Sequence, residues 1–383
     1  MPIPCRAPPI QPGIVFPLEV LQLILLKTGG RINMYINHMV FADLFHPLHA
    51  CSHHSALGDL AIFPLDVVRL ILLKVGGYTV RILNSRLKRL FDEANTALEM
   101  YPVSAFSSDT GPLIEKVVRN SRALVSITVS GRNFYCPLGP AGATSLASIL
   151  MAITGLHFLD LSNNGFRADG AASLAPSLMA LTGLQNLYLS YNKFGPVGAA
   201  SLAPALMALT RLRDLHLSTN ALGPAGVESL VPALKGLTGL QNLYISYNKI
   251  GPTGAASLAN ALIALTSLEC LNLLTNALGP AGVASLAPAL KGLTGLECLN
   301  LSTNELGPAG VASLASALKG LSGLERLNLS TNELGPAGVE SLAPTLMGLT
   351  GLQNLNLWDN DLRPANKALL RSTLSALTGL CYI

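Results

Sequence analysis

The sequence predicts an α/β solenoid, a repeat array in which every unit supplies one strand and one helix. Three observations predict it. Asn164, Asn192, Asn220, Asn248, Asn276, Asn304, Asn332 and Asn360 stand 28 positions apart. Each follows a run with the spacing L-x-x-L-x-L, with Ile245 in the last place of one copy, and each precedes a longer stretch whose apolar residues recur at helical intervals. A period of this length marks units that cannot bury an apolar face alone and must stack on their neighbours. Such an array grows in one dimension, so a chain of 383 residues does not need a single large core.

The strand comes first in each unit. In "LECLNLSTNELGPAGVASLASALKGLSG", residues 296–323, Leu299 and Leu301 alternate with polar neighbours, the period-2 pattern of a strand with one buried face. Asn304 then sits where the chain leaves the strand. A buried carboxamide there can satisfy backbone groups of adjacent coils, which an apolar residue could not, so the eight asparagines are expected to form a structural ladder.

The helix follows. Val311, Leu314, Leu318 and Leu321 recur at steps of three, four and three, which is one helical face. Pro308 is placed to open the helix and Gly320 to close it. Pro176, Pro204, Pro232, Pro288 and Pro344 fall inside other copies of this helix, where proline removes a backbone hydrogen bond. Bent or shortened helices are expected there.

The motif LxxLxLxxNxLG followed by a helix resembles the leucine-rich repeat, and the 28-residue period resembles its ribonuclease-inhibitor-like class. That class includes nucleotide-binding innate-immune receptors and Ran GTPase-activating protein. The resemblance covers residues 124–383, about nine repeats ending in a more polar cap at 361–383. It implies a horseshoe with a parallel sheet on the concave side and helices outside, and it leaves the partner open. The first unit, from Leu124, is degenerate, because Asn133 comes one position late.

If the strand residues between the buried leucines face the concave surface, they form columns along the array. One column places Tyr188, His216 and Tyr244 in successive rows, followed by Asn272, Asn300 and Asn328. Tyr191 and Tyr247 stand at strand exits, and Trp358 continues the register at the far end. Aromatic side chains with a polar tip are enriched in interface hot spots, so these nine residues are the candidate partner-binding set. A two-unit duplication, 183–236 copied as 239–292, accounts equally for the repeated tyrosines. The third strand position, occupied by Ser162, Ser190, Ser218, Ser246, Leu274, Ser302, Ser330 and Trp358, is expected on the same open surface. Cys270 and Cys298 are equivalent residues of adjacent strands. They read as two inert small side chains, because no third or fourth metal ligand accompanies them.

Residues 1–123 hold a looser duplication, "FPLEVLQLILLKTGG" at 16–30 and "FPLDVVRLILLKVGG" at 63–77. The second copy runs into a basic amphipathic stretch ending near Phe91. It resembles the F-box, which docks on the adaptor of SCF-type ubiquitin ligases, and the resemblance implies adaptor contacts through Leu65, Val68 and Ile71. The bland reading of the same residues is a helical cap for the solenoid. The expected organisation is thus a poorly ordered or degenerate helical segment at 1–62, a helical F-box-like or capping domain at 63–123, and the solenoid. His46, His49, Cys51, His53 and His54 cluster between the copies in no standard zinc spacing, so no metal or other cofactor is expected.

Composition narrows the function. Lys+Arg 25 against Asp+Glu 21 gives no basic stripe for nucleic acid. The apolar run at 14–26 is interrupted by Glu19 and falls short of a membrane span. Six cysteines without a CxxC pair fit a reducing, cytoplasmic compartment. No phosphate loop, nucleophile elbow or metal-protease helix is present, so an enzyme is not expected. The expected function is a protein-interaction scaffold working through the concave face, in one version the substrate receptor of an SCF-type ligase. A small-GTPase regulator resembling Ran GTPase-activating protein and an immune-type sensor fragment are the alternatives.

Overall fold

The computed structural model describes residues 27–28, 31–34, 69–70, 97–100, 126–129, 137–373 and 380–382. Strands β1 (Ser126–Val129), β2 (Phe158–Asp160), β3 (Asn186–Tyr188), β4 (Asp214–His216) and β5 (Asn242–Tyr244) alternate with helices. The series continues through β6 (Cys270–Asn272), β7 (Cys298–Asn300), β8 (Arg326–Asn328), β9 (Asn354–Asn356) and β10 (Leu380–Tyr382). Each strand from β1 to β10 pairs in parallel with the next, making a single sheet. From β2 to β9 the register is one full repeat, so every column of 28-spaced residues runs straight across it.

Before β1, strand segments lie at Lys27–Thr28, Arg31–Met34, Arg69–Leu70 and Ala97–Met100, the last pairing in parallel with β1. These four segments fall in the spans that the sequence reads as helical. Leu65, Val68, Ile71 and the histidine cluster at 46–54 lie outside the described residues.

The helices are α1 (Gly139–Leu150), α2 (Arg167–Met179), α3 (Gly195–Ala208), α4 (Gly223–Gly236) and α5 (Gly251–Leu262). They continue with α6 (Gly279–Lys291), α7 (Gly307–Leu318), α8 (Gly335–Leu346) and α9 (Pro364–Thr373). Strand leucines and helix leucines meet in one continuous core, in which Leu296, Leu299, Leu301, Val311, Leu314, Leu318 and Leu321 are all buried. The phrase LGPAG builds the helix start without a side-chain cap. Gly307 takes a left-handed φ of 58°, and its N–H donates to the carbonyl of Asn332 in the next coil at 2.9 Å. Gly310 lets neighbouring helices close up: a Cβ there would lie 3.1 Å from the Pro280 Cα.

The interior prolines do not shorten their helices. Those containing Pro204 and Pro232 have 14 residues, against 12 in α5 and α7, which lack one. All five prolines lie on the exposed stripe, and so do the residues four positions earlier, Ala172, Ala200, Glu228, Ala284 and Glu340. The carbonyl deprived of its partner therefore faces water, which removes most of the penalty.

The asparagines occupy the bend after each strand, and all eight are buried. Asn304 is representative. Its Oδ1 accepts the backbone N–H of Asn276 at 2.9 Å, while its Nδ2 donates to the carbonyls of Leu273, Leu301 and Ser302 at 2.9, 3.0 and 3.0 Å. One side chain thus ties two consecutive coils, and the same set recurs from Asn192 to Asn332. At Asn164 the oxygen finds no partner among the described residues.

Candidate functional site

The sheet register brings Tyr188, His216 and Tyr244 side by side on β3, β4 and β5. The Tyr188 and His216 rings stack with centroids 3.9 Å apart and planes 28° apart; His216 and Tyr244 lie at 4.2 Å and 33°. Phe158 extends the row, meeting Tyr188 edge-on at 5.1 Å and 71°. Phe158, Tyr188, His216 and Tyr244 are half-buried, which leaves ring area open on the sheet surface opposite the helices.

Acidic groups border this row. Asp214 accepts hydrogen bonds from the amides of Asn186 and Asn242 on the flanking strands. Asp160 accepts the backbone N–H of Ser162 at 2.8 Å. Burial pushes the Tyr188 hydroxyl above its ordinary range, and the charges of Asp214 and Asp160 add to the shift. Burial also raises Tyr244, helped by a hydrogen bond to Cys270.

The column continues through Asn272, Asn300 and Asn328, whose side-chain oxygens turn back on their own strand exits. The Asn300 oxygen accepts the Ser302 backbone N–H at 3.0 Å and its hydroxyl at 2.7 Å, and Asn328 does the same with Ser330 at 3.1 and 2.8 Å. Asn272 accepts from Leu274 N–H at 3.1 Å and from the Ser246 hydroxyl at 2.8 Å. What these asparagines can offer a ligand is chiefly their amide donors. The third column departs from the sequence expectation in part: Ser162, Ser190, Ser246, Ser302 and Ser330 are buried, whereas Ser218 and Leu274 are partly open and Trp358 is exposed. At Ser246, Ser302 and Ser330 an asparagine oxygen accepts the hydroxyl and holds it against the sheet.

Tyr191 and Tyr247 are each 48% exposed at left-handed backbone positions, and Trp358 is 64% exposed two strand positions beyond Asn356. They stand apart from the stacked row. Phe158, Asp160, Asp214 and Arg326 are surface groups that a search for repeated aromatics passes over. The signal for them was present in the columns, since each occupies a concave strand position. Among the described residues no group of three or more metal-ligating side chains occurs, and no helix is long and apolar enough to cross a membrane.

Strand, asparagine bend and outer helix in fixed register define a solenoid of the leucine-rich-repeat class. The chain carries six segments that match the model described as Leucine Rich repeat, at residues 154–175, 182–203, 208–231, 238–259, 293–315 and 323–343. No curated protein matches the sequence. Among solved structures, an internalin from Listeria monocytogenes is similar at 22% identity, over 81% of this chain and 79% of that one, with a TM-score of 0.45. TLR13 in its complex with ssRNA13 is similar at 18% identity, over 81% of this chain, with a TM-score of 0.46. This chain spans 46% of the TLR13 chain.

Proposed function

We propose that the protein is an interaction scaffold that seats a protein partner on its concave sheet, with Tyr188, His216 and Tyr244 at the centre of contact. The observation that carries this reading is the stacked row: three polar-tipped rings on successive strands, half-open and bordered by Asp160 and Asp214. Such rings give large contact area at low entropic cost, and the carboxylates favour a partner that brings a basic side chain. The test is a pull-down from cell extract with the full chain and with Tyr188→Ala combined with Tyr244→Ala. Proteins held by the parent and released by the double variant, while the variant still unfolds cooperatively and is folded at the temperature of the pull-down, support the site. Retention of the same proteins rejects it.

A second reading concerns residues 63–91, whose F-box-like pattern would couple the array to an SCF adaptor. What favours it is the motif carried by Pro64, Leu65, Val68, Ile71 and Leu72. The full chain then co-purifies with the adaptor, and Leu65→Asp with Ile71→Asp abolishes this. The 28-residue unit with a complete helix supports the ribonuclease-inhibitor-like class of repeat.

A further inference from the structure

Cys270 and Cys298 sit directly opposite each other on β6 and β7, and Arg326 on β8 is the next residue in the same column. Both cysteines are free, and Cys298 is partly open to the concave face. Cys270 is buried, whereas the partly open Cys298 has Arg326 as its neighbour on the other side, so a cation stands next to the more accessible thiol.

We propose that Cys298 and Cys270 form a peroxide-reactive dithiol, with Cys298 as the attacking thiolate and Cys270 as the resolving thiol. The Cys270 hydrogen bond, reinforced by Arg326, holds the Cys298 thiol down at about 6, whereas the same bond and burial raise Cys270 well above its usual range. A lowered, accessible Cys298 beside a raised, buried Cys270 is the asymmetry that thiol exchange requires. Glu325 is the nearby opposing charge, and its 3.8 Å pairing with Arg326 is exposed and weak.

The chemistry balances with a hydroperoxide as oxidant. The Cys298 sulfur attacks one peroxide oxygen, the O–O bond breaks, and the departing alkoxide takes up a proton, leaving a sulfenic acid. The Cys270 sulfur then attacks the Cys298 sulfur and loses its proton, while the S–O bond breaks and water leaves. The two thiols supply two electrons, and an alcohol, water and a disulfide result. In-register Cα atoms on neighbouring strands are about 4.8 Å apart, within the span that a disulfide bridges. The reading of both cysteines as inert took no account of Arg326, which lies 28 residues from Cys298 in the chain yet beside it in the sheet.

The test treats the reduced full chain with near-stoichiometric hydrogen peroxide at pH 7, followed by non-reducing tryptic mapping. The expected product is a reductant-sensitive link between peptides 250–291 and 292–319. With Cys270→Ser, Cys298 stops at a sulfenic acid captured by a 1,3-dicarbonyl probe. With Arg326→Gln, the pH midpoint for alkylation of Cys298 moves above about 6, and oxidation at pH 7 slows by about threefold or more. Equal reactivity of the two cysteines, pairing of Cys298 with Cys5, Cys51, Cys136 or Cys381, or a midpoint unmoved by Arg326→Gln would overturn the proposal.

Discussion

The Asn304 carboxamide accepts from the backbone of Asn276 and donates to the carbonyl of Leu273, so a single side chain holds one coil against the coil before it. Replacing Asn304 with Ala strands a buried N–H and up to three carbonyls. The expected loss is about 1–3 kcal/mol, the cost of leaving buried polar groups unpaired. Because the array is stabilised by nearest-neighbour interfaces, a break at its middle also broadens the urea transition. An Asn304→Ala protein with an unshifted midpoint would remove the ladder from the account of stability.

Two glycines of one LGPAG phrase serve different needs, and their alanine variants separate them. Gly307→Ala meets nothing closer than the Pro280 Cγ at 3.9 Å, so it bears only the left-handed backbone penalty of about 1–2 kcal/mol. Gly310→Ala puts a Cβ 3.1 Å from the Pro280 backbone and must push neighbouring helices away from each other, at a cost of about 1–3 kcal/mol. Arg167 has φ of 58° at the place where later repeats have glycine, so Arg167→Gly should raise the urea midpoint. A fall on that substitution would mean that the arginine makes a compensating contact.

Pro288 interrupts α6, whereas the equivalent residues of α5 and α7 are Asn260 and Ser316. Pro288→Ala restores one helical hydrogen bond but frees the unfolded chain. The expected gain is about 1 kcal/mol, below the ~3 kcal/mol of a proline in a helix interior, because the Ala284 carbonyl already faces water. Thermal unfolding checks it, and destabilisation would show that the proline ring packs against its neighbours.

The fold was legible because a 28-residue period survives in the sequence without any knowledge of contacts, and the Asn164–Asn360 series marks every bend. Tyr188, His216 and Tyr244 were legible as a row for the same reason. Ser302 was not, since its burial depends on the Asn300 side chain turning back on it. The neighbourhood of Cys298 and Arg326 was not legible, because the two residues come together only when β7 and β8 pair. The full length of the helices that carry interior prolines was not legible, because the cost of a proline depends on which side of the helix the unbonded carbonyl faces. Leu65, Val68 and Ile71 fall outside the described residues, so the F-box-like reading rests on its motif alone.

Leu187 and Tyr188 are neighbours on β3 that point to opposite faces, and they give the sharpest contrast between core and surface. Leu187 is fully buried, so Leu187→Ala should cost about 2–5 kcal/mol through lost transfer energy and a cavity. Tyr188 is half-buried and loses mainly its stacking on His216 and its edge contact with Phe158, so Tyr188→Ala should cost about 1 kcal/mol. If the ring row is a contact surface, the same Tyr188→Ala change reduces partner affinity by about 2 kcal/mol or more, exceeding its effect on folding. Urea titration of both variants, with affinity measured on the Tyr188 variant, decides between them. Equal destabilisation by the two substitutions would place Tyr188 in the core and withdraw the row from the proposed interface.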